Sequence, residues 1–393
     1  MMVSRRRLAI VLGLNQTMTW GMTFYLPAVI AGPAALSLGA SSFAILGAFT
    51  WALLVTGMLA PRVGRWIDSA GGKTPLALSI VVTAVGQVML ATAPNLLLWY
   101  VGWTVIGAGM GCGLYDAAFA TAAVLLGKDA GPAITGITLF AGFASTVFWS
   151  LGAALAAPLG WRGLLLLYGA LQIAVNLPMV LLLLPHKTPT PIETPHTDNR
   201  NSTAQPRRLV ATCLATFFTI RWFFQSMIAV NVLHLLQGIG LTLSEAVFVA
   251  ALIGPGQVAG RILEWSVANR LGLLLRARLG AMLFPLGALI LLAGGPIAAV
   301  LFAVFYGMSN GILTINRGTL PLALLGSRGY ATMLGWLALP VLLAQAISPT
   351  ITAPLVASLP ALHVLLLAAG AAAVGALLLL PLRMPREQEL SSR

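Results

Sequence analysis

Long uninterrupted runs of apolar residues, each closed by a short polar or glycine- and proline-containing break, set the pattern of this chain. Thr74 to Trp99 and Met282 to Thr314 contain no charged residue at all. A helix needs about 20 apolar residues to cross a bilayer, and runs of this kind belong in lipid rather than in a soluble core. Breaks at Gly, Pro, Asn and charge clusters divide the chain into twelve predicted helical spans: 8–31, 41–61, 74–92, 96–126, 133–157 and 162–184, then 209–235, 243–264, 275–293, 297–321, 330–350 and 360–382. The fold class expected is an all-α membrane protein of two pseudo-symmetric six-helix halves.

Short words recur between these halves. Val63-Gly64-Arg65-Trp66-Ile67-Asp68 returns 196 positions later as Ala259-Gly260-Arg261-Ile262-Leu263-Glu264. Gly109-Met110-Gly111 returns as Gly307-Met308-Ser309. The second echo lies at an offset of 198, and short words shared at nearly the same offset signal a duplication. The expected organisation is an N-terminal bundle over 1–184, a polar linker over 185–208 rich in Pro, Thr and Asn, and a C-terminal bundle with a short tail over 209–393. The start, Met1 to Arg7 followed by an apolar run, resembles a signal peptide, but the run continues past Tyr25 without a small-residue cleavage site and reads as the first span.

Composition agrees: 59% of residues are hydrophobic and 8% are charged, against about a quarter charged in a soluble chain. The formal charge of +13 would point to nucleic acid in a soluble protein, but here the cations collect on alternate loops. Arg5, Arg6 and Arg7, then Arg62, Arg65 and Lys73, Lys128, Arg207 and Arg208, Arg270, Arg276 and Arg278, Arg328 and Arg383 all fall on one side of the predicted membrane. Basic loops stay in the cytoplasm. The expectation is a multi-pass protein of the plasma (inner) membrane with both termini inside. Cys112 and Cys213 fall in apolar segments and support neither a disulfide framework nor a metal site. No metal or cofactor is expected.

Twelve spans in two halves, a central linker, and the loop Gly64-Arg65-Trp66-Ile67-Asp68-Ser69-Ala70-Gly71-Gly72-Lys73 together resemble the major facilitator superfamily of secondary transporters. In that family's loop motif Gly64, Asp68, Gly71 and Lys73 have counterparts, whereas Ser69 and Gly72 stand where basic residues are usual. Gly160-Trp161-Arg162 is a second sequence similar to one seen in the family. The resemblance implies alternating access, with a latch in which Asp68 caps a helix of the other half. Glu264 holds the repeat position, and with Arg261 and Arg270 it would form a matching latch or else a solvated helix end. Trp103 ahead of Gly107 departs from the arginine that many proton-driven drug exporters carry there, which argues against drug-proton antiport of that type.

An ionisable group at bilayer depth costs about 2.5–3.5 kcal/mol to insert, so each one is a functional candidate. Arg221 lies halfway along the seventh span, with Gln225 on the same helical face and Tyr25 at the repeat-related position. Its forked guanidinium suits carboxylate or phosphate-like oxyanions; the alternative is an interhelical structural pairing with Asp116 or with backbone carbonyls. Asn15, Gln16, Thr19 and Thr23 on the first span are expected to complete a wet cavity. Asp116 reads either as a proton site or as a counter-ion to Arg221 or Arg317, and Arg317 itself as an interface residue. The resemblance places Tyr115, Tyr306 and Asn310 on cavity-lining helices as well.

The function expected is secondary active transport of a small solute. One strong cation and few acids suggest a small organic anion; export of amphipathic or toxic compounds is the alternative. The chain carries no His-Glu-x-x-His and no P-loop, which leaves zinc-hydrolase or ATP-driven chemistry unsupported. A non-transporting membrane receptor or scaffold is the reading from another class. The expected partners are a small-molecule substrate, with a coupling proton or ion, and the lipid bilayer, for a chain that functions as a monomer without nucleic acid.

Overall fold

The computed structural model describes residues 4–185, 205–268 and 270–384. The larger part of the linker read from the sequence, 186–204, lies outside the described residues, so the 185–208 assignment stays an expectation. Nine helices form the N-terminal set: α1 (Arg5–Met22), α2 (Pro27–Leu38), α3 (Ser42–Ala70), α4 (Lys73–Thr92), α5 (Leu96–Gly113), α6 (Tyr115–Leu126), α7 (Gly131–Ala141), α8 (Ala144–Leu171) and α9 (Leu177–Leu183). Seven follow in the C-terminal set: α10 (Arg207–Gly238), α11 (Leu243–Ala251), α12 (Ile253–Ser266), α13 (Leu273–Ile290), α14 (Gly295–Leu325), α15 (Tyr330–Ser358) and α16 (Ala361–Leu377). No strand occurs among the described residues.

Nine helical stretches among them are long and apolar enough to cross a membrane, and one of these, Leu96–Leu183, runs for 88 residues. That is several crossings' worth of helix. It turns at Gly127 and Gly160, whose φ values of 58° and 67° lie in the left-handed region that glycine enters without penalty. With the shorter apolar helix Ala361–Leu377, the pieces leave room for twelve crossings. Polar residues mark several starts: Ser41 and Asn95 accept from the N–H groups of Ala44 and Leu98, and Thr242 with Glu245 forms a reciprocal capping box before α11. Each satisfies backbone donors that a helix start leaves free.

Arg162, a cation outside the basic loops, has a structural task. Its guanidinium donates to the carbonyls of Ala91 and Ala93 at 3.0 and 3.1 Å and to Ser37 at 2.8 Å. Bare carbonyls end α4, and a cation answers them well.

Asn15 and Gln16 lie in the N-terminal core rather than on a wet cavity, contrary to the sequence reading. Asn15 donates to Asn176 at 3.0 Å, Asn176 donates to Gln172 at 2.7 Å, and Gln16 donates to the Gly113 carbonyl at 2.6 Å. The α5–α6 break at Leu114 and the π-helical turn Gln172–Asn176 are answered by this network. Buried polar groups need such partners. Thr19 and Thr23 are buried beside it.

The two sets meet most closely where α3 crosses α15. A methyl group on Gly64 would stand 2.2 Å from the Ala331 carbonyl oxygen, and one on Gly335 would stand 2.3 Å from that of Ala60. Only small residues allow such an approach. The hydrophobic cluster at this end joins Val63, Ile67 and Phe119 of the first set to Tyr330, Ala331 and Leu334 of the second. This is the end that carries the basic loops; the opposite end has no comparable joint core among the described residues.

Candidate functional site

Between the two sets lies a cavity of about 880 Å³. Aromatic rings stand in its wall on both sides, Trp20, Phe24, Tyr25, Tyr115 and Trp149 from the first set and Trp222 and Tyr306 from the second. The rings are mutually packed: Trp20 lies 4.9 Å from Tyr115 and Tyr25 lies 5.4 Å from Trp149, centroid to centroid. Gln225, Gln257, Asn310, Thr314 and Gln345 supply polar atoms. The cavity narrows onto Gly64, Ile67 and Ala331, the α3–α15 crossing, so the basic end is the closed end.

Three charged residues line this space: Asp116, Arg261 and Arg317. Arg317 of α14 donates to Asp116 of α6 at 2.7 Å, joining the two sets. Asp116 therefore pairs with Arg317 and not with Arg221, and Arg317 is a cavity residue with 11% of its side chain exposed rather than an interface residue.

Arg261 departs from the sequence reading most. The chain repeat sets it beside Asp68 and Glu264 at a helix end, yet it is 4% exposed and faces the cavity. Its guanidinium reaches across to the first set, where Nη1 would lie 2.0 Å from a methyl group on Gly142. Glycine at the α7–α8 junction makes room for it. Nε and Nη1 are buried without a hydrogen-bond partner, and no carboxylate among the described residues forms an ion pair with it. Gln257, one turn earlier on α12, shares its face and lines the cavity as well.

Arg221 is 2% exposed and does not line the cavity. It lies behind the wall among α10, α13 and α14, donating to Asn310 Oδ1 and at 3.5 Å to Ser309, with Phe284 and Tyr306 rings 5.3 and 5.5 Å from its guanidinium carbon. The face of α10 that carries it turns into the C-terminal bundle. Gln225, Tyr25, Tyr115, Tyr306 and Asn310 do line the cavity; Asn15 and Arg221 do not.

At the closed end, Asp68 accepts hydrogen bonds from the N–H groups of Ala331 and Thr332 at 3.1 and 2.7 Å and from the Thr332 hydroxyl at 2.6 Å. These open α15, so a carboxylate of the first set caps a helix of the second. Gly71 ends α3 at φ 84° and donates to the Ile67 carbonyl, turning the chain so that Lys73 begins α4. Glu264 makes no matching contact. It is buried and paired with Arg276 of its own set at 2.7 Å, while Arg270 is exposed. The second-half latch of Glu264 with Arg261 and Arg270 is thereby corrected to an ion pair between α12 and α13. The reason is local: a short turn joins α12 to α13 and sets Arg276, in the first turn of α13, at the carboxylate.

Residues 8–339 match the sequence profile of the Major Facilitator Superfamily. Among solved structures, the human organic anion transporter MFSD10 (TETRAN) is similar with a TM-score of 0.72 at 16% identity, over 96% of this chain and 100% of that one. The E. coli fucose:proton symporter FucP gives 0.70 at 16% identity over 95% and 97%. The proton:xylose symporter XylE gives 0.72 at 12% identity over 99% of each chain. At these identities the likeness is one of fold. No curated protein matches the chain by sequence.

Proposed function

Given that the chain belongs to the Major Facilitator Superfamily and is a secondary transporter, we propose that its cargo is a small organic anion, carried as the two helical sets rock about the central cavity. The observation that carries the proposal is Arg261. A buried guanidinium without a counter-ion bears a desolvation penalty of several kcal/mol that a paired anion offsets. Arg317 has Asp116, and Arg221 is shut behind Asn310 and Tyr306. Arg261 alone among the described cavity residues offers an unpaired positive charge to a ligand.

The aromatic wall adds the second requirement. Trp20, Phe24, Trp149 and Trp222 favour a cargo with an apolar body behind its charged group. The same wall supports the alternative of an amphipathic compound, and the charge of the ligand separates the two readings. Arg261 brings a permanent positive charge to the cavity wall, and a guanidinium is a strong partner for a carboxylate. In the superfamily's working cycle the conformation described here, closed at the basic end, would be the one that admits cargo from outside the cell.

A thermal-shift screen of the purified chain tests this. Small carboxylates should raise the melting temperature, because a ligand bound only by the folded state stabilises it by mass action. Organic cations and neutral amides of matched size should leave it unmoved. Stabilisation by cations instead of carboxylates would overturn the anion reading.

A further inference from the structure

Arg221 is a buried charge that the cavity does not see directly, and its surroundings direct its influence. An arginine can only donate hydrogen bonds. The Asn310 side chain must therefore turn its oxygen toward the guanidinium, which leaves its N–H groups as what the amide can offer elsewhere. Asn310 lines the cavity. Ser309 is fixed in the same sense: its hydroxyl donates to the Gly280 carbonyl at 2.7 Å, so the oxygen left for Arg221 is an acceptor. The Tyr306 ring lies 5.5 Å from the Arg221 guanidinium carbon, and its hydroxyl's hydrogen bond to the Gln225 carbonyl, at 3.4 Å, is long. Nε and Nη1 of Arg221 have no partner, and no carboxylate among the described residues pairs with it.

The position of this cluster matters as much as its polarity. Gly260 packs against the Met308 carbonyl and Gly311 against that of Gln257, which fixes the register of α12 against α14. Arg261 follows Gly260 and Asn310 precedes Gly311, so the two side chains stand within about one helical turn of each other, roughly 5 Å along the axes.

We propose that Arg221 acts as a positioning residue: it holds Asn310, with Tyr306 beside it, as a donor site that reads a second oxygen of the cargo while Arg261 takes the carboxylate. This rests on the organic-anion reading and narrows it. The cargo class becomes a short carboxylate with a second acceptor a few ångströms away, such as an oxo acid or a dicarboxylate. A plain fatty acid of the same length would leave the Asn310 donors unanswered in a partly desolvated site, which is unfavourable.

Dissociation constants of the full-length purified protein for butyrate, 2-oxobutyrate and succinate decide it, measured by calorimetry. The wild type should bind 2-oxobutyrate and succinate at least about tenfold more tightly than butyrate, the worth of one charge-assisted hydrogen bond. Asn310→Leu and Arg221→Gln should each reduce that preference below about threefold. If Arg221→Gln or Asn310→Leu does not fold, Asn310→Asp decides, since its carboxylate keeps an acceptor for the buried guanidinium while losing the N–H donors. Equal wild-type binding of all three, or a preference that survives Asn310→Leu, overturns the relay and leaves the anion reading standing. Failure of the wild type to bind any carboxylate overturns both.

Discussion

A carboxylate that accepts from two backbone N–H groups at a helix start sits where the partial positive charge of that helix is concentrated. Asp68 does so on α15, and adds the Thr332 hydroxyl. Asp68→Asn keeps the shape and removes the charge, at an expected cost of about 1.5 kcal/mol to the closed basic end, taken from the worth of a charged hydrogen bond. That is roughly a tenfold shift in the balance of the two conformations. Distances between spin labels at Lys128 and Ser327 should report it as a new, longer population; an unchanged distribution would remove Asp68 from the latch. Asp68 was legible because a loop motif names it. Arg261 was not, because the repeat equates it with Arg65, which is exposed at the equivalent place. Symmetry of sequence carried over the position along the helix but not which way the side chain faces, and that depends on what packs around it. Arg221 failed for the converse reason: it does stand about halfway along α10, but the facing side of α10 was not fixed by any periodicity in a helix apolar nearly all round.

Helices here are separated by glycine turns and brought together by glycine contacts. The spans predicted from the apolar pattern fall on helices, several of which run further: Arg5–Leu38 against 8–31, Ser42–Ala70 against 41–61, and Tyr330–Ser358 against 330–350. What the pattern could not give is the breaks within spans, at Leu114, Gly142 and Leu252, because hydrophobicity continues through them. The crossing of α3 and α15 is the element contact on which closure depends. Its backbones meet at Gly64 and Gly335, and neither carbonyl opposite is a flexible group that can yield. Gly335→Ala should therefore force these helices apart at a cost of about 1–3 kcal/mol, the usual penalty of overpacking. With a cysteine placed at Ala338, which is fully buried beside Ala60 and Leu342, alkylation should be slow in the parent and fast in the Gly335→Ala background. Equal protection in both would show that closure does not rest on this contact.

At the scale of the molecule, the alternating basic loops and the closed end coincide. Lys73 begins α4 and Arg276 lies in the first turn of α13, both at the end where Asp68 caps α15. If those loops face the cytoplasm, single cysteines at Lys73 or Arg276 should react with a membrane-impermeant reagent only after cells are permeabilised. Labelling from outside in intact cells would invert the topology and with it the sense of the open cavity. Two like bundles, a cavity between them and a transporter class were all readable from spans, repeat and loop motif. The cargo was readable only in part, since the choice of an anion was drawn from Arg221 and now rests on Arg261.

Counterflow uptake in proteoliposomes tests that choice most directly. Liposomes loaded with unlabelled 2-oxobutyrate and given the labelled compound outside should exchange it through the wild-type protein with saturation. Arg261→Gln removes the unpaired guanidinium and should weaken apparent affinity by about a hundredfold, the worth of two charged hydrogen bonds to a carboxylate. Arg261→Lys keeps the charge without the fork and should fall between the two. Wild-type uptake with unchanged affinity in Arg261→Gln would contradict the account, because the cavity would then be recognising its cargo without the cation that, among the described residues, is left unpaired in it.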